Sequence, residues 1–143
     1  MNRTTDELMN LLLSKETLPQ YMEENRNEFL QSSLCQYLNL LQEKHGRKKS
    51  DVIADALIER SYGYQIFSGR REAPSRDVLI SLALAMGLAL DETQSLLRIA
   101  HMAMLYPRVP RDSIIIRAIA NRESVIQCNA MLESFGEPIL GCI

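Results

Sequence analysis

The residues of this sequence with the clearest chemical potential are cationic and lie in its middle third. Residues 43–76 contain eight lysines and arginines against five acidic residues, a local net charge of +3 in a chain whose net charge is −2. These cations bracket a short polar segment that contains Arg60, Ser61 and Gln65. Guanidinium, hydroxyl and amide groups can hydrogen-bond to phosphates and to base edges. The pattern therefore predicts one defined contact surface for an anionic partner.

Catalytic and metal chemistry find little support in the sequence. His45 and His101 have no serine, cysteine or aspartate partner in a known catalytic motif. The chain has three cysteines, Cys35, Cys128 and Cys142, an odd number that are widely spaced. Neither histidine stands at the spacing from them that a metal site needs. They are typical of reduced thiols, and we expect the first two to be buried. The sequence predicts a cytoplasmic protein that is not an enzyme and needs no metal or cofactor.

The composition favours an all-α fold without a membrane partner. Apolar residues make up 46% of the chain and charged residues 24%, which suits a globular core, and good helix formers dominate. No apolar stretch approaches the ~20 residues that span a bilayer. The first 18 residues carry acidic groups and lack a basic start, so they do not resemble a signal peptide.

Capping residues and apolar spacing predict a series of helices. Thr4 and Thr17 are the expected N-caps of two short N-terminal helices, and Gly46 and Gly69 are expected helix ends. The remaining predicted helices are Arg26 to Glu43, Ser50 to Leu57, Arg60 to Ser68, Arg76 to Gly87 and, capped by Asp91, Glu92 to Met104, followed by a C-terminal pair. We expect an N-terminal helical segment (1–30), a core (31–105) and a C-terminal extension packed on that core (106–143).

Part of the chain repeats at an offset of 35 residues. Arg76-Asp77 matches Arg111-Asp112, and further identities follow in the same frame. They are Ile80 with Ile115, Ala83 with Ala118, Ala85 with Ala120, Leu97 with Leu132 and Leu105 with Leu140; Gln94 also corresponds to Asn129. The pattern fits either a duplicated helix pair or a shared helical periodicity.

The middle segment, from Lys48 to Ser68, resembles the helix-turn-helix of the lambda-repressor-like (Cro-type, XRE) family. The resemblance is carried by KSDVI at 49–53, QIFSGRR at 65–71 and Pro74-Ser75, and covers about residues 34–100. In that family an apolar residue three positions before the glycine anchors the recognition helix, and here that residue is Ile66. The resemblance implies a helix-turn-helix core and a sequence-specific DNA-binding regulator, with double-stranded DNA as the partner.

The resemblance also implies roles for individual residues. A recognition helix presents its first residues, and those one turn later, to base edges in the major groove. The base-reading candidates are Arg60, Ser61 and Gln65, with Tyr64 added because it lies one turn after Arg60. The candidates for contact with the phosphate backbone are Lys48, Lys49, Ser50, Ser68, Arg70, Arg71 and Arg76.

Three residues depart from the family pattern. Leu57 stands where the turn usually has glycine, so the turn must form without a permissive residue. Glu59 is expected to be a poorer N-cap than serine, threonine or aspartate. Gly63 stands where valine or isoleucine is frequent, and it should weaken its helix by roughly 0.5–1 kcal/mol relative to alanine.

Two functions remain open at this point. The first is a homodimeric DNA-binding regulator that reads two half-sites. The second is a helical protein–protein interaction module, an adaptor or an antitoxin-like partner. The acidic first 42 residues and the long C-terminal extension favour this function. The apolar residues of the extension supply either a dimer face or the closure of the core; they are Ile114, Ile115, Ile116, Ile119 and Met131.

Overall fold

The computed structural model describes residues 3–14, 17–25 and 33–141, and over those ranges the protein is all-helical, with nine helices and no strand. It divides into two compact units, residues 1–31 and 32–143. The first unit contains α1 (Thr5–Leu12) and α2 (Leu18–Glu24). The predicted N-caps are confirmed, since Thr4 and Thr17 accept hydrogen bonds from the N–H groups of Glu7 and Gln20.

The second unit contains seven helices. They are α3 (Leu34–Lys44), α4 (Lys49–Asp55), α5 (Arg60–Ser68), α6 (Arg76–Met86), α7 (Leu90–Ile99), α8 (Pro110–Ala120) and α9 (Val125–Ser134). α6 is the centre of the core, because α4, α7, α8 and α9 all pack against it. Its residues 78–86 are consequently all buried, including Ser81. The sequence indicated only one apolar side for this helix.

Two predicted helices have wrong bounds. The helix expected from Ser50 to Leu57 runs from Lys49 to Asp55, because Leu57 has positive φ and lies in the turn. The helix expected from Glu92 to Met104, with Asp91 as its cap, begins at Leu90 and ends at Ile99. The carboxylate of Glu92 accepts a hydrogen bond from the N–H of Ala89, which stabilises the earlier start. The chain then leaves the helix because the Gln94 side chain bonds both the N–H and the C=O of Leu105. These contacts hold residues after the helix in a returning loop.

The helix expected from Arg26 to Glu43 is described only in its second half. α3 begins at Leu34, where Ser33 accepts a hydrogen bond from the N–H of Gln36, and continues to Lys44. The earlier part of that prediction, residues 26–32, lies outside the described residues. Gly46 follows in the left-handed conformation, as expected for a residue after a helix end.

Four turns of the second unit share one geometry. In each, a residue with positive φ stands three positions before the first residue of the next helix: Gly46, Leu57, Gly87 and Arg122. The turn thus forms at Leu57 without a glycine, as predicted. Leu57 has φ 59°, a conformation that costs a leucine roughly 1–2 kcal/mol. The next residue, Ile58, is buried and donates its N–H to the Ile53 carbonyl, and both contacts offset that cost.

The contacts of the α6–α7 pair recur in the α8–α9 pair at the same offset of 35 residues. The Arg76 guanidinium binds the carbonyls of Ala103 and Met104, while that of Arg111 binds those of Pro138 and Ile139. Shared helical periodicity does not produce matched polar contacts of this kind. The two helix pairs therefore share one architecture.

The two pairs also exchange ion pairs reciprocally. Arg76 binds Asp112 through two hydrogen bonds of 3.1 and 2.9 Å, and Arg111 binds Asp77 through two of 3.0 Å. Because each arginine of one pair meets the aspartate of the other, the pairs are related by an approximate two-fold axis rather than by a translation. α8 and α9 thereby pack on α6 of the second unit.

Candidate nucleic-acid interface

The first turn of α5 is fixed by Glu59. Its carboxylate accepts hydrogen bonds from the N–H groups of Ser61 and Tyr62, at 3.0 and 2.8 Å. These bonds hold the pKa of Glu59 below its ordinary value. The expectation that Glu59 caps poorly is wrong, since its longer side chain reaches two of the unpaired N–H groups of the first turn.

The inner face of α5 is set by close packing against α4 and α3. Gly63, Ile66 and Phe67 are buried on this face. A Cβ atom at Gly63 would lie 2.5 Å from Cγ2 of Ile53, so glycine is what permits this approach of α4 and α5. On the other side, the amide of Asn39 donates to the Phe67 carbonyl at 2.8 Å. The direction in which α5 presents its outer face is therefore well determined.

α5 and the first turn of α4 border one open depression of about 750 Å³, here called the α5 depression. It brings together seven of the eleven predicted contact residues: Lys49, Arg60, Ser61, Tyr64, Gln65, Ser68 and Arg70. Arg60, Ser61, Tyr64, Ser68 and Arg70 are exposed, and Lys49 and Gln65 are partly exposed. Sequence reasoning missed two of its lining residues, Glu59 and Phe67. Nothing in their types marked them as members of this surface.

Three further predicted residues lie outside the lining of the depression but on the same helices or the adjoining loop. Lys48 is the N-cap of α4, Ser50 belongs to its first turn, and Arg71 follows α5; all three are exposed. The Arg71 guanidinium lies over the ring of Tyr62, 4.9 Å from its centroid. Tyr62 is thus a packing residue, partly buried against the core.

The cations around α5 have no ion-pair partner among the described residues. Within the described ranges, no carboxylate lies at ion-pair distance from any of five of them: Lys48, Lys49, Arg60, Arg70 and Arg71. Some other cations of the second unit are paired: Lys44 binds Glu92 and Arg47 binds Asp55. The positive charge around α5 is therefore available to an external anion.

Three of these cations lie over aromatic rings, because two more contacts accompany that of Arg71 with Tyr62. Lys49 Nζ lies 5.7 Å from the ring centroid of Phe67, and the Arg60 guanidinium lies 5.8 Å from that of Tyr64. Such contacts are worth about 0.5–1 kcal/mol at exposed sites. They restrict the side chains without consuming their hydrogen-bond donors, so the donors remain free for a ligand.

Arg76 does not join this surface, and its assignment to the phosphate backbone is withdrawn. Its guanidinium donates to both carboxylate oxygens of Asp112 and to the carbonyls of Ala103 and Met104. Only 24% of its side chain is exposed. With its donors engaged, Arg76 joins α6 to α8 instead of contacting an external phosphate.

The cysteines differ in their surroundings. Cys128 is fully buried, and burial raises the pKa of its thiol to about 11. Cys35 is only partly buried, so its predicted burial is wrong in degree; its thiol donates to the Phe67 carbonyl. Cys142 lies outside the described residues. Over the described ranges, no group of three His, Cys, Asp or Glu side chains is arranged to hold a metal ion, and no helix has the length and apolar character to cross a membrane.

Comparison with known proteins gives no relative for this chain. No protein-family model matches it, and neither does any curated protein or solved structure.

Proposed function

We propose that this chain is a sequence-specific DNA-binding regulator in which α4 and α5 act as a helix-turn-helix and α5 enters the major groove. The observation that carries the proposal is the composition of the α5 depression. Seven residues that the sequence nominated for DNA contact line one surface, and its lysine and arginines have no carboxylate partner among the described residues. An α-helix with its side chains is about 10–12 Å in diameter, which fits the ~12 Å width of the major groove.

Each predicted base-reading side chain of α5 then has a defined contact with DNA. Arg60 pairs bidentately with guanine, Gln65 pairs with adenine, and Ser61 bonds to an acceptor on either strand. Tyr64 contacts a thymine methyl group or a phosphate. Cations on both sides hold the DNA backbone, which positions the helix but carries no sequence information. They are Lys48, Lys49, Arg70 and Arg71, with the hydroxyls of Ser50 and Ser68.

The proposed regulator is a cytoplasmic homodimer without enzymatic activity, metal or cofactor. One helix-turn-helix buries little surface, and two copies spaced about 34 Å apart on DNA give the affinity and specificity that a single copy lacks.

A second function, a helical protein–protein interaction module, rests on a different observation. The first unit exposes large apolar side chains, with 76% of Leu13, 60% of Leu18 and 49% of Met22 accessible to solvent. Several large apolar side chains exposed on so small a unit favour a surface that binds a partner protein. This function would make DNA binding secondary or absent.

Selection of bound sequences from random DNA, followed by gel shift at ~50 and ~200 mM salt, separates the two functions. The DNA-binding proposal expects an enriched motif and an affinity that falls steeply with salt. A matched control is Arg108→Ala, which removes an exposed arginine far in sequence from α5 and should leave the motif and the salt dependence unchanged. Failure to bind any fragment at low salt would refute the proposal and favour the interaction module.

A further inference from the structure

We propose that a second copy of this chain docks on a groove between α8 and α9, here called the α8–α9 groove, so that two chains pair about a two-fold axis. The groove is lined by Ser113, Ile114, Arg117, Ala118, Asn121, Glu123, Met131 and Phe135. It shares no lining residue with the α5 depression. Self-association through it is a property of the protein alone and is tested without DNA.

The floor of the groove is apolar and open to solvent. Phe135 is 67% exposed and Met131 is 46% exposed, while Ile114 is partly buried against the core. Of the other apolar residues predicted for the dimer face or the core, Ile115 and Ile119 are buried and Ile116 is partly buried against the core. The two roles that the sequence left open for this segment are thus divided between different residues.

In the first helix pair, α6 and α7, the face equivalent to the α8–α9 groove is covered by other helices. At the offset of 35 residues, Ile114 corresponds to Leu79 and Met131 to Leu96, and both of those leucines are fully buried. α4 packs against α6 and α3 against α7, which covers the first pair. The equivalent face of the second pair carries the same apolar character at these positions but has no other helix of the second unit over it.

The charges on the rim select a second copy as the occupant. Arg117 and Glu123 both line the groove, where the first pair has Leu82 and Leu88. Neither has an ion-pair partner within the described part of the chain. In the proposed two-fold pairing, Arg117 of each chain meets Glu123 of the other, and two identical ion pairs form. One groove thus carries both halves of a self-complementary contact.

The position of the groove keeps α5 available. α5 packs against α3 and α4, whereas α8 and α9 pack against each other and against α6 and α7. Pairing through α8 and α9 therefore leaves the α5 depression of both chains uncovered. This supplies the two-copy arrangement that the proposed function requires, although the pairing itself does not rest on DNA binding.

The test is sedimentation equilibrium of the full chain without DNA, across protein concentrations, on the wild type and matched variants. Phe135→Ala should raise the dimer dissociation constant about tenfold or more, as truncation of a central aromatic side chain does. Because Phe135 is exposed, this change leaves the folded monomer intact. Arg117→Glu and Glu123→Arg should each weaken the dimer, since each puts like charges against one another. The double variant restores opposite charges and should recover most of the wild-type affinity.

Arg108→Glu is the control, because it makes the same charge change at an exposed site outside the groove and should not alter the dissociation constant. Circular dichroism of every variant checks that the helices remain folded. A wild type that stays monomeric at all concentrations would overturn the proposal, as would a dimer that the groove variants do not weaken. Failure of the double variant to recover affinity would overturn the ion-pair geometry and with it the choice of a two-fold copy.

Discussion

Gly63 on α5 and Ile53 on α4 lie so close that a methyl group on the glycine would come within 2.5–2.9 Å of three side-chain carbons of the isoleucine. Ile53 is 2% exposed and β-branched, so it cannot turn aside easily. The sequence marks this glycine as a weak point of a helix. The structure makes it the residue that lets α4 and α5 approach, and hence the residue that sets the direction of the proposed DNA-reading face.

Gly63→Ala should lower the free energy of unfolding by about 1–3 kcal/mol, the usual cost of overpacking a core. Alanine gains up to about 1 kcal/mol of helix propensity, which the steric conflict exceeds. Urea denaturation measures the difference. Ile53→Ala in the Gly63→Ala background should cost less than Ile53→Ala in the wild type, because it removes the conflicting carbons. A Gly63→Ala protein as stable as the wild type would contradict the close approach.

Arg60→Ala and Lys49→Ala should weaken DNA binding in different ways. Arg60→Ala is expected to cost about 1–3 kcal/mol and to relax the preference at one base, because a bidentate contact to a base is lost. Lys49→Ala should weaken binding to all sequences alike and reduce the salt slope by about 1. Gel shift on the selected motif, its single-base variants and random DNA measures both effects. Equal losses on specific and random DNA for both variants would argue against these roles.

Arg76→Ala should lower the free energy of unfolding without changing the affinity for DNA. Removing this guanidinium leaves the Asp112 carboxylate, which is 6% exposed, without its cation, and we expect a loss of about 3 kcal/mol. Arg70→Ala is the matched variant: Arg70 is exposed and has no carboxylate partner in the described chain, so its loss should change stability by less than about 0.5 kcal/mol yet weaken DNA binding. The reverse pattern would return Arg76 to the DNA-contact set.

Glu92 should make the protein sensitive to acid. Burial raises the pKa of this carboxyl, but hydrogen bonds from Lys44, the Ala89 N–H and His45 together outweigh burial and hold it below its ordinary value of 4.5. A carboxyl whose pKa is lower in the folded state contributes its stabilisation fully above the unfolded pKa and loses it as pH falls through the folded pKa. Wild-type stability should therefore decrease on acidification from about pH 6 to about pH 3.

Glu92→Gln should show a smaller decrease over the same pH interval, and urea denaturation at each pH measures it. Part of the decrease remains, because hydrogen bonds from Arg111 and the Gly141 N–H also lower the pKa of Asp77 against the opposing effect of its burial. Glu133→Gln, at an exposed position of α9, is the control and should keep the wild-type dependence on pH. If Glu92→Gln lost stability with acid as steeply as the wild type, the Glu92 contacts would not be what makes the fold acid-sensitive.

The sequence by itself determined the helical class, several helix starts and the group of side chains that lies on the outer face of α5. These features are local. Thr4 and Thr17 each accept a hydrogen bond from the N–H group three positions later in the chain. The spacing of Arg60, Tyr64 and Gln65 follows from the helical repeat. The 35-residue repeat was equally visible, because like residues occupy like positions in both helix pairs.

Only the tertiary structure decided what depends on contacts between distant residues. Arg76 looked like one more cation of the basic segment until its partner Asp112, 36 positions later, was found beside it. α7 ends early because Gln94 holds a loop eleven residues away. Gly63 is required by Ile53 on another helix. A sequence pattern records which face of a helix is apolar, whereas the neighbour that covers the face or pairs with its charges is set by how the helices pack.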